Sequence, residues 1–168
     1  MSASVRIVLG SIVEQEVDVI VNSANTALVM GGGVAAAILA EAGSEVEEEA
    51  VQRAPIEVGE VVVTTAGDLS AHHIVHVAVV GEVPPDVEEC TRNALEAAVE
   101  LGARSVALPA IGTGSAGVSV REAARGMCSA IADHVAGETT LEDIRIVLWD
   151  EEYFPVFRKE LRRASPGG

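Results

Sequence analysis

Lysine occurs once in this chain, at Lys159, and with ten arginines it makes only 11 basic residues against 26 acidic ones. A formal net charge of −15 argues against duplex nucleic acid as a partner, because phosphate-backbone binding rests on a basic face. The acid excess reads as a solvated surface. Cysteine is also scarce. Cys90 and Cys128 have neither CxxC spacing nor a nearby histidine pair, which leaves a disulfide framework or a metal site without support and makes both small packing residues in helices. No apolar run reaches the roughly 18–20 residues of a membrane-spanning helix. The amino terminus has no basic stretch followed by an apolar one. The expectation is a cytoplasmic protein with no membrane partner, no metal and no cofactor.

At 168 residues and 49% hydrophobic content, the chain suits one domain with its own core. That domain is expected over 1–163, with 164–168 as a frayed tail. Short β-branched runs at Val5–Leu9, Val17–Asn22, Glu60–Thr65, Ile74–Val80, Ser105–Ile111 and Arg145–Trp149 predict strands, separated by alanine- and glutamate-rich segments that predict helices. Near-continuous apolar character in "VDVIV" and "SVALPAI" belongs to strands covered on both faces. The predicted fold class is a three-layer α/β/α sandwich with a mixed, mostly parallel sheet. Capping boxes at Ser44-x-x-Glu47 and Ser119-x-x-Glu122, and Asp86 after Pro85, mark helix starts; Gly43 and Gly102 mark helix stops.

Two glycine-rich loops follow buried strands, where the carboxyl ends of an α/β sheet open on a ligand crevice. One carries Asn22, Asn25 and Gly31-Gly32-Gly33 before a helix starting near Val34. The other reads Gly112-Thr113-Gly114-Ser115-Ala116-Gly117 before the helix capped by Ser119. Each offers backbone N–H groups at a helix amino terminus, and together they suit a diphosphate held from two sides. Such amides attract an anion locally even in a strongly acidic protein. A single glycine-rich loop would more readily be a turn; two after buried strands favour a ligand. Asparagine supplies a donor and an acceptor suited to ribose hydroxyls. Asn25, on the loop itself, is the better candidate, whereas Asn22 fits a turn residue equally well.

Read literally, Gly112 to Gly117 also matches the dinucleotide fingerprint GxGxxG, which leaves an NAD-dependent oxidoreductase as an alternative. The acidic residue expected about 20 positions on is represented only by Glu138, in a loop before the next strand. Neither loop contains GK[ST], so ATP or GTP hydrolysis through a phosphate-binding loop is set aside. His76, inside an apolar strand, reads as a satisfied sheet histidine, and no histidine belongs to a recognisable triad.

In order along the chain, "VDVIVNSAN", "GGGVAAAI", "GEVVVTTAGDL", "HHIVHVAVV" and "ALPAIGTGSAG" resemble the macro domain family from about Val5 to Phe157. The resemblance implies about six strands between helices and a cleft for ADP-ribose or its derivatives, including mono-ADP-ribosylated proteins. By position, Asn25 would bond the distal ribose, and Gly31, Gly32, Gly33 and Val34 would wrap the diphosphate and that ribose. Gly112, Thr113, Gly114, Ser115, Ala116 and Gly117 would close from the other side, and Trp149 would lie against adenine unless it is a core aromatic. Asn25 and Gly33 are the candidates for positioning a substrate, and no catalytic residue is assigned.

Three positions depart from the family pattern. Gly10-Ser11-Ile12 stands where members commonly have Gly-Asp-Ile, whose aspartate accepts from the adenine amino group. Ala116 stands where many carry an aromatic. Ala35 follows "GGGV" where hydrolytic members often place an aspartate, so no carboxylate is there to activate water. The glutamates at 45, 47, 48 and 49 read as a solvated helical first turn. The expected function is therefore binding of ADP-ribose or terminal ADP-ribosyl groups. Hydrolysis of derivatives is the alternative: O-acetyl-ADP-ribose, mono-ADP-ribosyl protein or ADP-ribose-1''-phosphate.

Overall fold

The computed structural model describes residues 3–165. The expected tail lies partly outside them, at 166–168; Ala164, by contrast, closes the last helix, and the Ser165 N–H donates to the Leu161 carbonyl at 3.1 Å.

Among the described residues, six strands alternate with five helices. In chain order these are β1 (Ser4–Leu9), β2 (Val19–Asn25), α1 (Gly33–Ala42), α2 (Ser44–Val51), β3 (Val61–Thr65), β4 (His73–Val80), α3 (Val87–Glu100), β5 (Ser105–Leu108), α4 (Val120–Ala136), β6 (Asp143–Leu148) and α5 (Phe154–Ala164). The sheet runs β1-β6-β5-β2-β4-β3, parallel throughout except for the antiparallel β3–β4 pair. Side chains of β2 alternate between the two layers. Val19 and Val21 join the core packed under α3 and α4, whereas Ile20 joins Ile38 and Ile74 under α1. Fully burying each such aliphatic side chain contributes about 1.5–3 kcal/mol.

Three strands end elsewhere than the sequence indicates, β6 by one residue, at Leu148 instead of Trp149, and β5 and β2 by three. β5 stops at Leu108 because Pro109 has no N–H to give the ladder. β2 starts at Val19 and continues to Asn25, through a register shift between Ala24 and Asn25, since β4 extends alongside it to Val80. Asn25 is thus the last residue of a strand rather than a loop residue. Before β2, the Asp18 carboxylate accepts from the Arg104 and Ser105 N–H groups and ties its start to β5.

The caps divide similarly. Ser119 accepts from the Glu122 N–H and Asp86 from the Glu89 N–H, both at 3.1 Å. Ser44 caps nothing: α2 follows α1 directly across Gly43, so no extended residue remains to carry a serine cap. Glu47, expected in a solvated turn, instead accepts from the Met30 N–H at 2.6 Å, and Glu49 from Thr65 at 3.0 Å.

One polar rung crosses the sheet on the α1–α2 side. Buried His76 on β4 pairs through Nδ1 with the Asn22 Nδ2 at 3.1 Å and through Nε2 with the Thr64 Oγ1 at 2.9 Å. Burial pushes the imidazole pKa down to about 4, against a smaller opposing influence from Glu49. His76 is therefore the satisfied sheet histidine anticipated from its apolar strand.

Two outcomes follow from this frame. In Gly67→Ala the new Cβ would lie 2.1 Å from the Ala42 carbonyl oxygen, at a φ of +56°. Strain and overlap together should cost about 2–4 kcal/mol in chemical denaturation. Because unfolded His76 binds a proton that the folded one refuses, stability from the neutral imidazole is complete above pH about 6.5. It should fall by up to about 3 kcal/mol as pH drops to about 4. Denaturation curves across that window should show this slope, and His76→Gln should flatten it.

Candidate functional site

The carboxyl ends of β2, β5 and β6 face a cleft of about 600 Å³, within the usual size range of a small-molecule site. Its first wall grows out of β2. The Asn25 amide grips the next turn at both atoms: Nδ2 donates to the Val29 carbonyl at 2.9 Å, and Oδ1 accepts from the Val29 N–H at 3.1 Å. Leu28 adopts a left-handed φ of 59° inside this turn, its side chain buried. The bond from Met30 to Glu47 then fixes the chain as it enters Gly31, Gly32 and Gly33, which are exposed.

Helix α1 begins there without a side-chain cap and without an acid in its first turn. Its first helical bond runs from the Ala36 N–H to the Gly32 carbonyl at 3.3 Å. The Gly33, Val34 and Ala35 N–H groups thus remain orphan donors at the positive end of the helix.

The second wall is the turn between β5 and α4. Val118 donates to the Gly112 carbonyl at 2.9 Å, Gly117 to the Gly114 carbonyl at 3.0 Å, and the Thr113 hydroxyl to the Ala110 carbonyl at 2.9 Å. Gly112 has a φ of +85°, and a Cβ there would press on Val118 at 3.0 Å. Among the described residues no backbone acceptor takes the Gly114, Ser115 or Ala116 N–H. The cleft thus has unpaired amides on two sides, an arrangement suited to an anion.

Its far end is apolar and aromatic. Gly10 donates to the Leu148 carbonyl at 2.8 Å, drawing β1 and β6 together. Trp149 leaves β6 with 84% of its surface exposed, so it is no core aromatic. Tyr153, on a short 3₁₀ turn begun by Asp150, lines the same end. Among the described residues, none lining the cleft is Asp, Glu, His, Lys or Arg.

The structure gathers Ile12, Asn25, Gly31, Gly32, Gly33, Val34, Gly112, Thr113, Gly114, Ser115, Ala116 and Trp149 around this space. Three candidates lie outside the lining. Asn22 is fully buried against His76, a sheet residue rather than a turn residue or a ligand group. Ser11 precedes a 3₁₀ turn, and its carbonyl accepts from the Gln15 side chain at 3.1 Å. Gly117 folds back into its own turn.

Sequence reasoning missed Tyr153, which falls on neither a strand nor a glycine loop, and Ser23, whose Oγ accepts from the Gly112 N–H at 3.4 Å. Strand alternation was a signal for Ser23, since it is the next residue after buried Asn22. The dinucleotide alternative also loses its acidic partner: Glu138 is exposed beyond the end of α4, before β6 begins, at the opposite end of the sheet from the cleft. Cys90 and Cys128 are buried, with thiol pKa values pushed up by burial to about 11 and about 12, as packing residues rather than nucleophiles. No helix among the described residues is long and apolar enough to cross a membrane.

Residues 21–127 match the family model described as Macro domain. An uncharacterized protein of Aquifex aeolicus (strain VF5) is 42% identical over 162 residues, covering 94% of this chain and 97% of the relative. One from Pyrobaculum aerophilum is 39% identical over 168 residues, 95% of this chain and 91% of the relative. Among solved structures, the Oceanobacillus iheyensis macrodomain with MES bound superposes with a TM-score of 0.86 at 28% identity, over 94% of this chain and 89% of that one. The Trypanosoma brucei macrodomain in complex with ADP-ribose gives 0.83 at 28% identity, over 92% and 68%. With its sheet order, its paired glycine loops and a family match over 107 residues (21 to 127 inclusive) of 168, this chain belongs to the macro domain family.

Proposed function

We propose that the cleft binds ADP-ribose, free or as a terminal ADP-ribosyl group on a protein. The observation that carries this reading is the pair of unpaired amide sets, at the α1 amino terminus and at Gly114 to Ala116, facing one cleft of about 600 Å³. A solved relative in this family is in complex with ADP-ribose.

In this proposal the diphosphate lies between Gly31–Gly33 and Thr113–Ala116. The Gly33, Val34 and Ala35 amides meet it from the helix end. The distal ribose rests at the β2–β4 side, where Asn25 keeps one amide hydrogen and one lone pair beyond its Val29 bonds. Asn25 and Gly33 position it. The base lies toward Ile12 and Trp149. The single domain expected over 1–163 is in this proposal the whole binding unit.

The cleft wall supports binding over hydrolysis. With Ala35 buried beneath the helix start and no carboxylate or imidazole in the lining, no side chain is set to take a proton from water.

Calorimetric titration should show ADP-ribose binding at least tenfold more tightly than AMP. Gly114 has open space where a Cβ would stand. Gly114→Glu should therefore fold normally yet lose at least about a hundredfold in affinity, as a carboxylate enters the diphosphate path. Asn25→Ala should lose about tenfold, through the ribose contact and the freed Val29 turn. Full affinity in both variants would place the site elsewhere. Incubation with O-acetyl-ADP-ribose or a glutamate-linked mono-ADP-ribosyl protein should give no turnover above the Gly114→Glu control.

A further inference from the structure

The sheet order fixes what each part of a ligand meets. The amide donors stand over β2 and β5, and the cleft continues across β6 to the outer strand β1. A diphosphate seated on the amides therefore sends one sugar toward β4 and the nucleoside toward β6 and β1.

That nucleoside end is built from Ile12, Val147, Leu148, Trp149 and Tyr153. Their side chains offer aliphatic and aromatic surface, one phenolic hydroxyl and one indole N–H on the exposed Trp149. Distinguishing one base from another needs a fixed acceptor for an amino group or a fixed donor for a carbonyl. The nearby candidate acceptor, the Ser11 carbonyl, is already engaged by the Gln15 side chain at 3.1 Å and the Glu14 N–H at 3.3 Å. The Ser11 hydroxyl makes no capping bond, and a hydroxyl donates or accepts as its partner requires. Stacking on Trp149 is equally indifferent, since every base has a π-face.

Resting on the function proposed above, we infer that this cleft selects for the diphosphate and distal ribose and tolerates bases other than adenine. Its ligand class is nucleoside diphosphate-ribose, purine or pyrimidine. A pocket that hydrogen-bonds a group rejects analogues lacking it by roughly 10⁴-fold, whereas an apolar pocket discriminates far less. The nucleoside end of the cleft belongs to the second kind.

Titration of the full chain with ADP-ribose, GDP-ribose and CDP-ribose tests this. Dissociation constants within about fivefold of one another are expected. ADP-ribose binding more than about fiftyfold tighter than both others would overturn base tolerance while leaving the proposed function standing. No binding by any of the three would remove both. Trp149 is exposed, so Trp149→Ala should fold normally and weaken all three by a similar factor, about tenfold. A loss confined to ADP-ribose would count against the inference.

Discussion

Backbone N–H groups are what this cleft can offer an anion, and they serve only if the chain around them is held so that they stay unpaired. Amides left free in a flexible loop would find a carbonyl or bulk water. Here three devices prevent that. Asn25 closes both of its amide atoms on Val29, Glu47 takes the Met30 N–H, and the Gly112–Val118 bond closes the second turn. Each uses a hydrogen bond to hold the chain and leaves the groups at Gly33–Ala35 and Gly114–Ala116 without an acceptor.

This arrangement also reconciles an anionic ligand with a net charge of −15. At physiological ionic strength the Debye length is about 8 Å, so exposed acids elsewhere on the surface are largely screened from the cleft. Short-range donors are screened much less. Glu47 reaches the loop through its bond to the Met30 N–H, from the α2 side. An uncharged lining therefore presents a donor-rich patch without the cation that a basic protein would use.

The parts legible in the sequence are those set by local physics. Caps at Asp86 and Ser119, glycine-marked helix ends and apolar strand runs all depend on residues within a few positions of one another. Ser44 and Glu47 have the spacing of a capping box as good as that of Ser119 and Glu122, but a long-range partner, Met30, claims the glutamate. The two asparagines make the same point within one strand. Asn22 points into the sheet and meets His76 across the register, whereas Asn25, three residues on, reaches the end of the strand and turns the loop. No composition or period separates them; the partner strand does. Tyr153 was illegible for a different reason, because its place depends on where the chain turns after β6.

Leu28 shows how the loop's shape is maintained energetically. A left-handed backbone costs a branched L-residue about 1–2 kcal/mol, and glycine could occupy the position without that penalty. Leucine there is buried among Ala24, Ala50 and Val62, which returns about 1.5–3 kcal/mol. The strained turn is thus anchored by the core beneath it rather than relaxed by a smaller residue. Adding the bidentate Asn25 contact, worth about 1 kcal/mol for each hydrogen bond, makes this turn costly to unfold. Ordering of the first wall is then charged to folding and not to ligand capture. The glycines that follow can therefore remain free of side-chain contacts without becoming the weak point of the site.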